Sequence, residues 1–84
     1  MSIYKLPVVL EPQAEGGYTI TCPLIPGLVT EADTFDEVIP NVTDALAALI
    51  EAYEDLNRPL PPGLQAIVPD TPLWLETLIS VAVG

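Results

Sequence analysis

Carboxylates are nearly all that this sequence offers for polar chemistry. Twelve Asp and Glu residues stand against Lys5 and Arg58, which gives the 84-residue chain a formal net charge of −10. Histidine is absent, so Ser/His/Asp and Cys/His catalysis are excluded. Lys and Arg make the phosphate contacts of nucleic-acid-binding proteins, so direct binding of DNA or RNA is disfavoured. This charge favours a basic protein as the partner.

Cys22 is the single cysteine, so neither an intrachain disulfide nor a cysteine zinc cluster can form. A reducing compartment suits such a chain. The amino-terminal residues show no basic stretch leading into a long apolar run, and no segment approaches the roughly 18 apolar residues of a membrane span. We therefore expect a cytoplasmic protein, and its length is that of one small domain.

Several acids cluster just before a predicted helix. Thr34 and Glu37 fit the S/T-x-x-E capping box, in which the threonine oxygen accepts from a first-turn N–H and the glutamate reaches back. Asp33 and Asp36 are favourable at the positive end of the helix dipole. Capping accounts for these acids, so we expect no metal, no cofactor and no catalytic residue here.

A helix is predicted from Phe35 to about Asn57, with Pro40 kinking it or loosening its first turn. The evidence is an apolar stripe with spacings of three and four: Phe35, Val38, Ile39, Val42, Ala45, Leu46, Leu49, Ile50 and Tyr53. Four acids lie off this stripe: Asp44, Glu51, Glu54 and Asp55. They form either a solvated face or a docking surface for a basic partner. Trp74 fits an interface anchor and a core residue equally well.

Alternating apolar residues predict strands at Ile3 to Glu11, Tyr18 to Cys22 and Leu28 to Ala32. Gly17, Pro23 and Gly27 are the structural residues of the intervening turns. Residues 59–72, rich in proline, predict an extended connection, and Leu73 to Val83 a final buried strand. The expected fold is α+β: a three-stranded antiparallel meander, one helix, and a final strand parallel to the first. An open sheet edge and 50% hydrophobic residues favour a homodimer or homotetramer.

The run from Gly16 to Glu37, GGYTITCPLIPGLVTEADTFDE, resembles the core signature of HicB-like antitoxins. That signature has the pattern GGY, CP or SP, PGL, GDT, EA and N across two strands, a third strand and the helix start. Asn41, Ala45 and Leu60-Pro61 also fit it. The sequence departs from the pattern at Ala32, where the family usually has glycine in front of Asp-Thr, and at Pro40, where it prefers alanine. A left-handed backbone at Ala32 would be strained.

The resemblance implies a partial ribonuclease H-like fold and a role in neutralising HicA, a small basic toxin that cleaves messenger RNA. Longer relatives carry a second, DNA-binding segment, for which this length leaves no room, so residues 1–84 are expected to be a single HicB-like domain. Ribonuclease H folds hold two Mg²⁺ ions with clustered carboxylates. Because capping explains the acids here and cations to hold RNA are missing, we expect no enzymatic activity. The alternative is a homo-oligomeric structural or assembly protein that has kept the fold without a toxin partner.

Overall fold

Three short strands form an antiparallel sheet, with neighbours in chain order, in a computed structural model that describes residues 2–64, 66–68, 70 and 72–83. The strands are β2 (Val9–Pro12), β3 (Tyr18–Thr21) and β4 (Val29–Ala32). Val9 pairs with Thr21, and Thr21 pairs with Val29. The predicted α+β class and antiparallel meander are confirmed.

The turn between β2 and β3 depends on its glycines. Gly16 and Gly17 have φ angles of +101° and +79°, which side chains rarely allow. A Cβ on Gly17 would lie 2.8 Å from the carbonyl oxygen of Ala32. Gly17 therefore lets the turn approach the end of β4. Ala32 itself is not among the residues with positive φ, so replacing the family's glycine there introduces no left-handed strain.

The helix begins with a 3₁₀ turn (Phe35–Glu37) and continues as α1 (Val38–Asp55). The disturbance expected from Pro40 is thus confined to the first turn. Pro40 is the third residue of α1. The N–H groups of the first turn have no acceptor within the helix, so the missing N–H of Pro40 removes no helix hydrogen bond. Of the predicted apolar stripe, only Ile39 is exposed, at 68%.

The capping prediction is wrong for Thr34. Its side chain makes no capping hydrogen bond. In a capping box the Thr34 hydroxyl would accept from the Glu37 N–H, but here that N–H donates to the Thr34 carbonyl at 3.2 Å. The Glu37 carboxylate does reach back, but one residue further, and accepts from the Asp33 N–H at 3.3 Å. The Glu37 carboxylate thus caps the chain just before the helix, whereas Thr34 contributes only its backbone carbonyl.

A Schellman motif ends α1. Asn57 has φ of +52°. The Asn57 N–H donates to the Glu54 carbonyl at 3.0 Å and the Arg58 N–H donates to the Tyr53 carbonyl at 2.9 Å. These two bonds supply donors to carbonyls in the last turn of the helix, which receive no hydrogen bond from within the helix. The predicted end near Asn57 is confirmed.

The core has two parts. One joins the sheet to the start of α1 and contains Ile20, Ala32, Val38 and Val42. The other lies under the loop between β3 and β4 and contains Cys22, Ile25, Leu28 and Leu64. Leu60 packs against the second part, so the proline-rich connection is held down by Leu60 and Leu64. Pro23 and Gly27 lie in the turns that carry Cys22, Ile25 and Leu28 into this core.

Two strand predictions need correction. The first strand is split into β1 (Ile3–Tyr4) and β2, with residues 5–8 unpaired, because Pro7 lacks an N–H for the ladder. A final strand does pair with the first, but it is β5 (Ala66–Ile67), and it runs antiparallel, with Ile3 opposite Ile67. The split explains the wrong orientation, since β1 and β5 form a separate ribbon and the crossover rule applies within one sheet.

Residues 73–83, predicted as the buried final strand, are exposed and have no regular secondary structure. Leu60 and Leu64 are anchored in the core, and therefore the first segment that reaches β1 is β5. The tail then extends beyond it.

Candidate functional site

The acidic face of α1 is the first candidate surface. Asp44, Glu51 and Asp55 are spaced by seven and four residues, which places them within about 40° of one another around the helix axis. All three are exposed. The structure therefore aligns three of the four acids that the sequence singled out as partner-binding residues, with Glu54 beside them.

A shallow groove runs between this face and the start of the chain. It has a volume of about 660 Å³ and is lined by Ser2, Tyr4, Ala47, Ile50, Glu51, Glu54 and Asp55. Three carboxylates thus border the half-buried ring of Tyr4. The lining combines the apolar side chains of Ala47 and Ile50 with three carboxylates, a combination that suits the long basic side chains of a protein partner. Neither Asp44 nor Trp74 is among the residues that line the groove.

A second acidic surface, which the sequence reasoning did not select as a partner site, surrounds the turn between β2 and β3. A hollow of about 540 Å³ there is bordered by Glu15, Glu31 and Asp33. On the outer face of the sheet, Glu11 and Glu31 lie on either side of Thr19 in one row of cross-strand neighbours. Only the strand register reveals this juxtaposition, because the two glutamates are 20 residues apart in the chain.

Charged and polar side chains are all at the surface of the described part of the chain, since its buried residues are apolar. Within that part, no three His, Cys, Asp or Glu side chains are grouped so that they could hold a metal ion. The acids therefore do not converge on one point. They spread over two faces, a distribution suited to contact with an extended basic surface.

Trp74 is 86% exposed, lies in the tail and belongs to neither part of the core. Trp74 is therefore not a core residue of this chain. Cys22 is buried at the end of β3, as expected of a small apolar filler. No helix of the described residues has the length and apolar character needed to cross a membrane.

Comparison with known proteins identifies relatives of this chain. A family model described as "HicB_like antitoxin of bacterial toxin-antitoxin system" matches residues 6–81. The chain is 39% identical over 59 residues to UPF0150 protein ssr1765 of Synechocystis sp., covering 70% of this chain and 75% of that protein. It is 30% identical over 57 residues to UPF0150 protein Ta0767 of Thermoplasma acidophilum, covering 68% and 83% of the two chains.

A third relative is Antitoxin HicB 1 of Photorhabdus laumondii, which is 42% identical over 60 residues. The match covers 70% of this chain but 39% of that protein, so less than half of the longer relative is represented. The family model, in contrast, spans β2 to β5, the helix and most of the tail. The chain belongs to the HicB-like antitoxin family of bacterial toxin–antitoxin systems.

Proposed function

We propose that this chain neutralises a small basic toxin of the HicA type, which cleaves messenger RNA, by covering the toxin's active face. The observation that carries this proposal is the groove beside α1, where Glu51, Glu54 and Asp55 border Tyr4. A surface that binds RNA must present cations to phosphates. The acidic rim offers those cations an alternative partner.

The mechanism is steric and electrostatic. With a net charge of −10, the chain attracts a basic protein over distances of about a Debye length, roughly 10 Å at 0.1 M salt. Complementary charge raises association rates from about 10⁵–10⁶ to as much as about 10⁸–10⁹ M⁻¹s⁻¹ at low salt. Once bound, the domain occupies the volume that RNA needs and places carboxylates where phosphates would lie. No bond is made or broken in this process.

The first experiment is a pull-down of the tagged full chain from its native cells, with mass spectrometry of the proteins retained. We expect one small basic protein in stoichiometric amount. That protein is then purified and tested for messenger RNA cleavage with and without the chain. Inhibition at equimolar chain is the expected result, and undiminished cleavage would contradict the proposal. Recovery of the chain alone would instead favour the assembly-protein alternative.

The docking surface is tested by two variants that lose the same charge. The groove variant carries Glu51→Gln, Glu54→Gln and Asp55→Asn, and the control variant carries Glu11→Gln, Glu15→Gln and Glu31→Gln on the other acidic surface. All six residues are exposed, so both variants should fold. We expect the groove variant to lose at least about 100-fold in toxin affinity, or about 2.7 kcal/mol. Equal losses in the two variants would show that net charge alone acts.

A further inference from the structure

The tail, residues 73–83, carries apolar surface that the rest of the chain does not bury. Every residue in this tail is exposed, and the tail lies outside the helices and strands. The radius of gyration is 14.5 Å, against about 12 Å for a compact chain of this length. Seven large apolar side chains are exposed there: Leu73, Trp74, Leu75, Leu78, Ile79, Val81 and Val83.

The tail has the pattern of a strand with one apolar face. Its odd-numbered positions from 73 to 83 are Leu, Leu, Thr, Ile, Val and Val, while the even-numbered positions alternate apolar Trp74, Leu78 and Ala82 with polar Glu76 and Ser80. Strict alternation places the odd set on one face of an extended chain. We propose that residues 73–83 pair as a β-strand with the same segment of a second copy of this chain. This interface is separate from the groove that we assign to the toxin.

Charge indicates a second copy as the occupant. Two molecules of net charge −10 repel each other through most of their surfaces. Between Pro72 and Val83 the only charged residue is Glu76, so the tail is where two copies can meet with least repulsion. A basic partner, in contrast, gains little from an almost uncharged segment.

An antiparallel pair centred on Leu78 uses the whole segment. Leu73 then lies opposite Val83, Leu75 opposite Val81, and Thr77 opposite Ile79, all on the apolar face. On the other face, Trp74 lies opposite Ala82, Glu76 opposite Ser80, and Leu78 opposite the Leu78 of the second copy. A parallel, in-register pair would set the two Glu76 carboxylates directly opposite each other, which is destabilising. The two-fold, antiparallel arrangement is therefore the favoured one.

The area involved is sufficient for a dimer. A large apolar side chain buries roughly 60–120 Å² of apolar surface when it is fully covered, so the seven in each of two tails supply roughly 800–1,700 Å² when both faces of the paired strands are covered. Stable interfaces bury about 1,200–2,000 Å² in total. Because two strands alone are marginal in water, the apolar face of the ribbon packs against the two domains or against a second ribbon. The assembly is accordingly a dimer or a tetramer.

The first test measures the mass of the full chain by size-exclusion chromatography with light scattering over a wide concentration series. Leu78→Asp places two carboxylates face to face at the centre of the pair. Ile39→Asp is the matched control, since Ile39 and Leu78 are 68% and 69% exposed and the charge change is the same. We expect the unmodified chain and Ile39→Asp to form dimers or tetramers. We expect Leu78→Asp to weaken self-association by about 100-fold or more.

Circular dichroism of both variants checks that the helix is retained. A monomeric unmodified chain, or a Leu78→Asp variant that still associates, would overturn the proposal. Neither outcome involves the toxin, so toxin inhibition and self-association can fail independently of each other.

Disulfide cross-linking tests the register. Two cysteines can be bridged only when their Cα atoms lie within about 7 Å. Leu78→Cys faces its own copy in the proposed pair, whereas Ser80→Cys faces Glu76 and lies several residues from its counterpart. Cys22 is buried, so the introduced thiol dominates the reaction with oxidised glutathione. We expect disulfide-linked dimers at least about tenfold faster for Leu78→Cys than for Ser80→Cys. Equal rates would overturn the paired strand.

Discussion

The side-chain amide of Asn41 donates a hydrogen bond of 2.7 Å to the backbone carbonyl oxygen of Glu31. Asn41 lies in the second turn of the helical segment and Glu31 in β4, so this bond fixes α1 against the last strand of the sheet. The same contact region brings buried Ala32 together with Val38 and Val42. The Asn41 hydrogen bond and this apolar packing together hold the helix over the sheet.

Replacing Asn41 should therefore reduce stability. Asn41→Ala removes the donor and leaves the Glu31 carbonyl without it, so we expect the free energy of unfolding to fall by about 1 kcal/mol. Urea denaturation followed by circular dichroism measures it. The control is Thr43→Ala, which removes an exposed bond from the Thr43 hydroxyl to the Ile39 carbonyl within the same helix. That control should change stability by no more than about 0.5 kcal/mol, and a larger effect there than at position 41 would refute the prediction.

Gly17 should be less replaceable than its neighbour Gly16. Both have positive φ angles, but a Cβ at Gly17 would lie 2.8 Å from the Ala32 carbonyl, while one at Gly16 would have no neighbour within 4 Å. We expect Gly17→Ala to cost about 2–3 kcal/mol of unfolding free energy, and Gly16→Ala about 1 kcal/mol, which is the range of backbone strain alone. Chemical denaturation of both variants gives the comparison. Equal losses would show that the approach to Ala32 does not limit position 17.

Local patterns predicted most of the meander and the helix because their causes are local. The glycines at 16 and 17 permit the positive φ angles of a tight turn, and the apolar spacing from Phe35 to Tyr53 favours a helix, whatever the rest of the chain does. The family resemblance pointed to the same elements, and the family model supports it over residues 6–81.

The remaining errors concern competition between distant segments. The alternation of apolar residues predicted the final strand at residues 73–83, but the segment that pairs with β1 is Ala66–Ile67. Leu60 and Leu64 decide this outcome by packing near Ile25 and Leu28, and no local pattern encodes that packing. The same limitation applies to the acids, since Glu11 and Glu31 become neighbours only through the strand register.

Asn57 provides a test of how α1 ends. Its φ of +52° suits glycine best and asparagine better than alanine. We expect Asn57→Ala to lower the unfolding free energy by about 1 kcal/mol, since a left-handed backbone costs alanine about 1–2 kcal/mol. Asn57→Gly should be at least as stable as the unmodified chain. Thermal unfolding of the two variants measures this difference, and an alanine variant more stable than the glycine variant would contradict the Schellman geometry.

Salt should act in opposite directions on folding and on toxin binding. The chain carries a net charge of −10 with its acids at the surface, so like-charge repulsion opposes the compact state and is screened as NaCl is added. We expect the free energy of unfolding to rise by about 1 kcal/mol, since exposed charge interactions contribute about 0.2–1 kcal/mol each. Affinity for a basic toxin should fall over the same range, because screening also weakens attraction. Urea titrations and calorimetry at fixed protein concentration measure the two quantities.

The variant Glu51→Gln, Glu54→Gln, Asp55→Asn serves as the control, because fewer charges should reduce both salt effects. Toxin binding that strengthens with salt would show that apolar contacts, and not the acidic groove, hold the complex together.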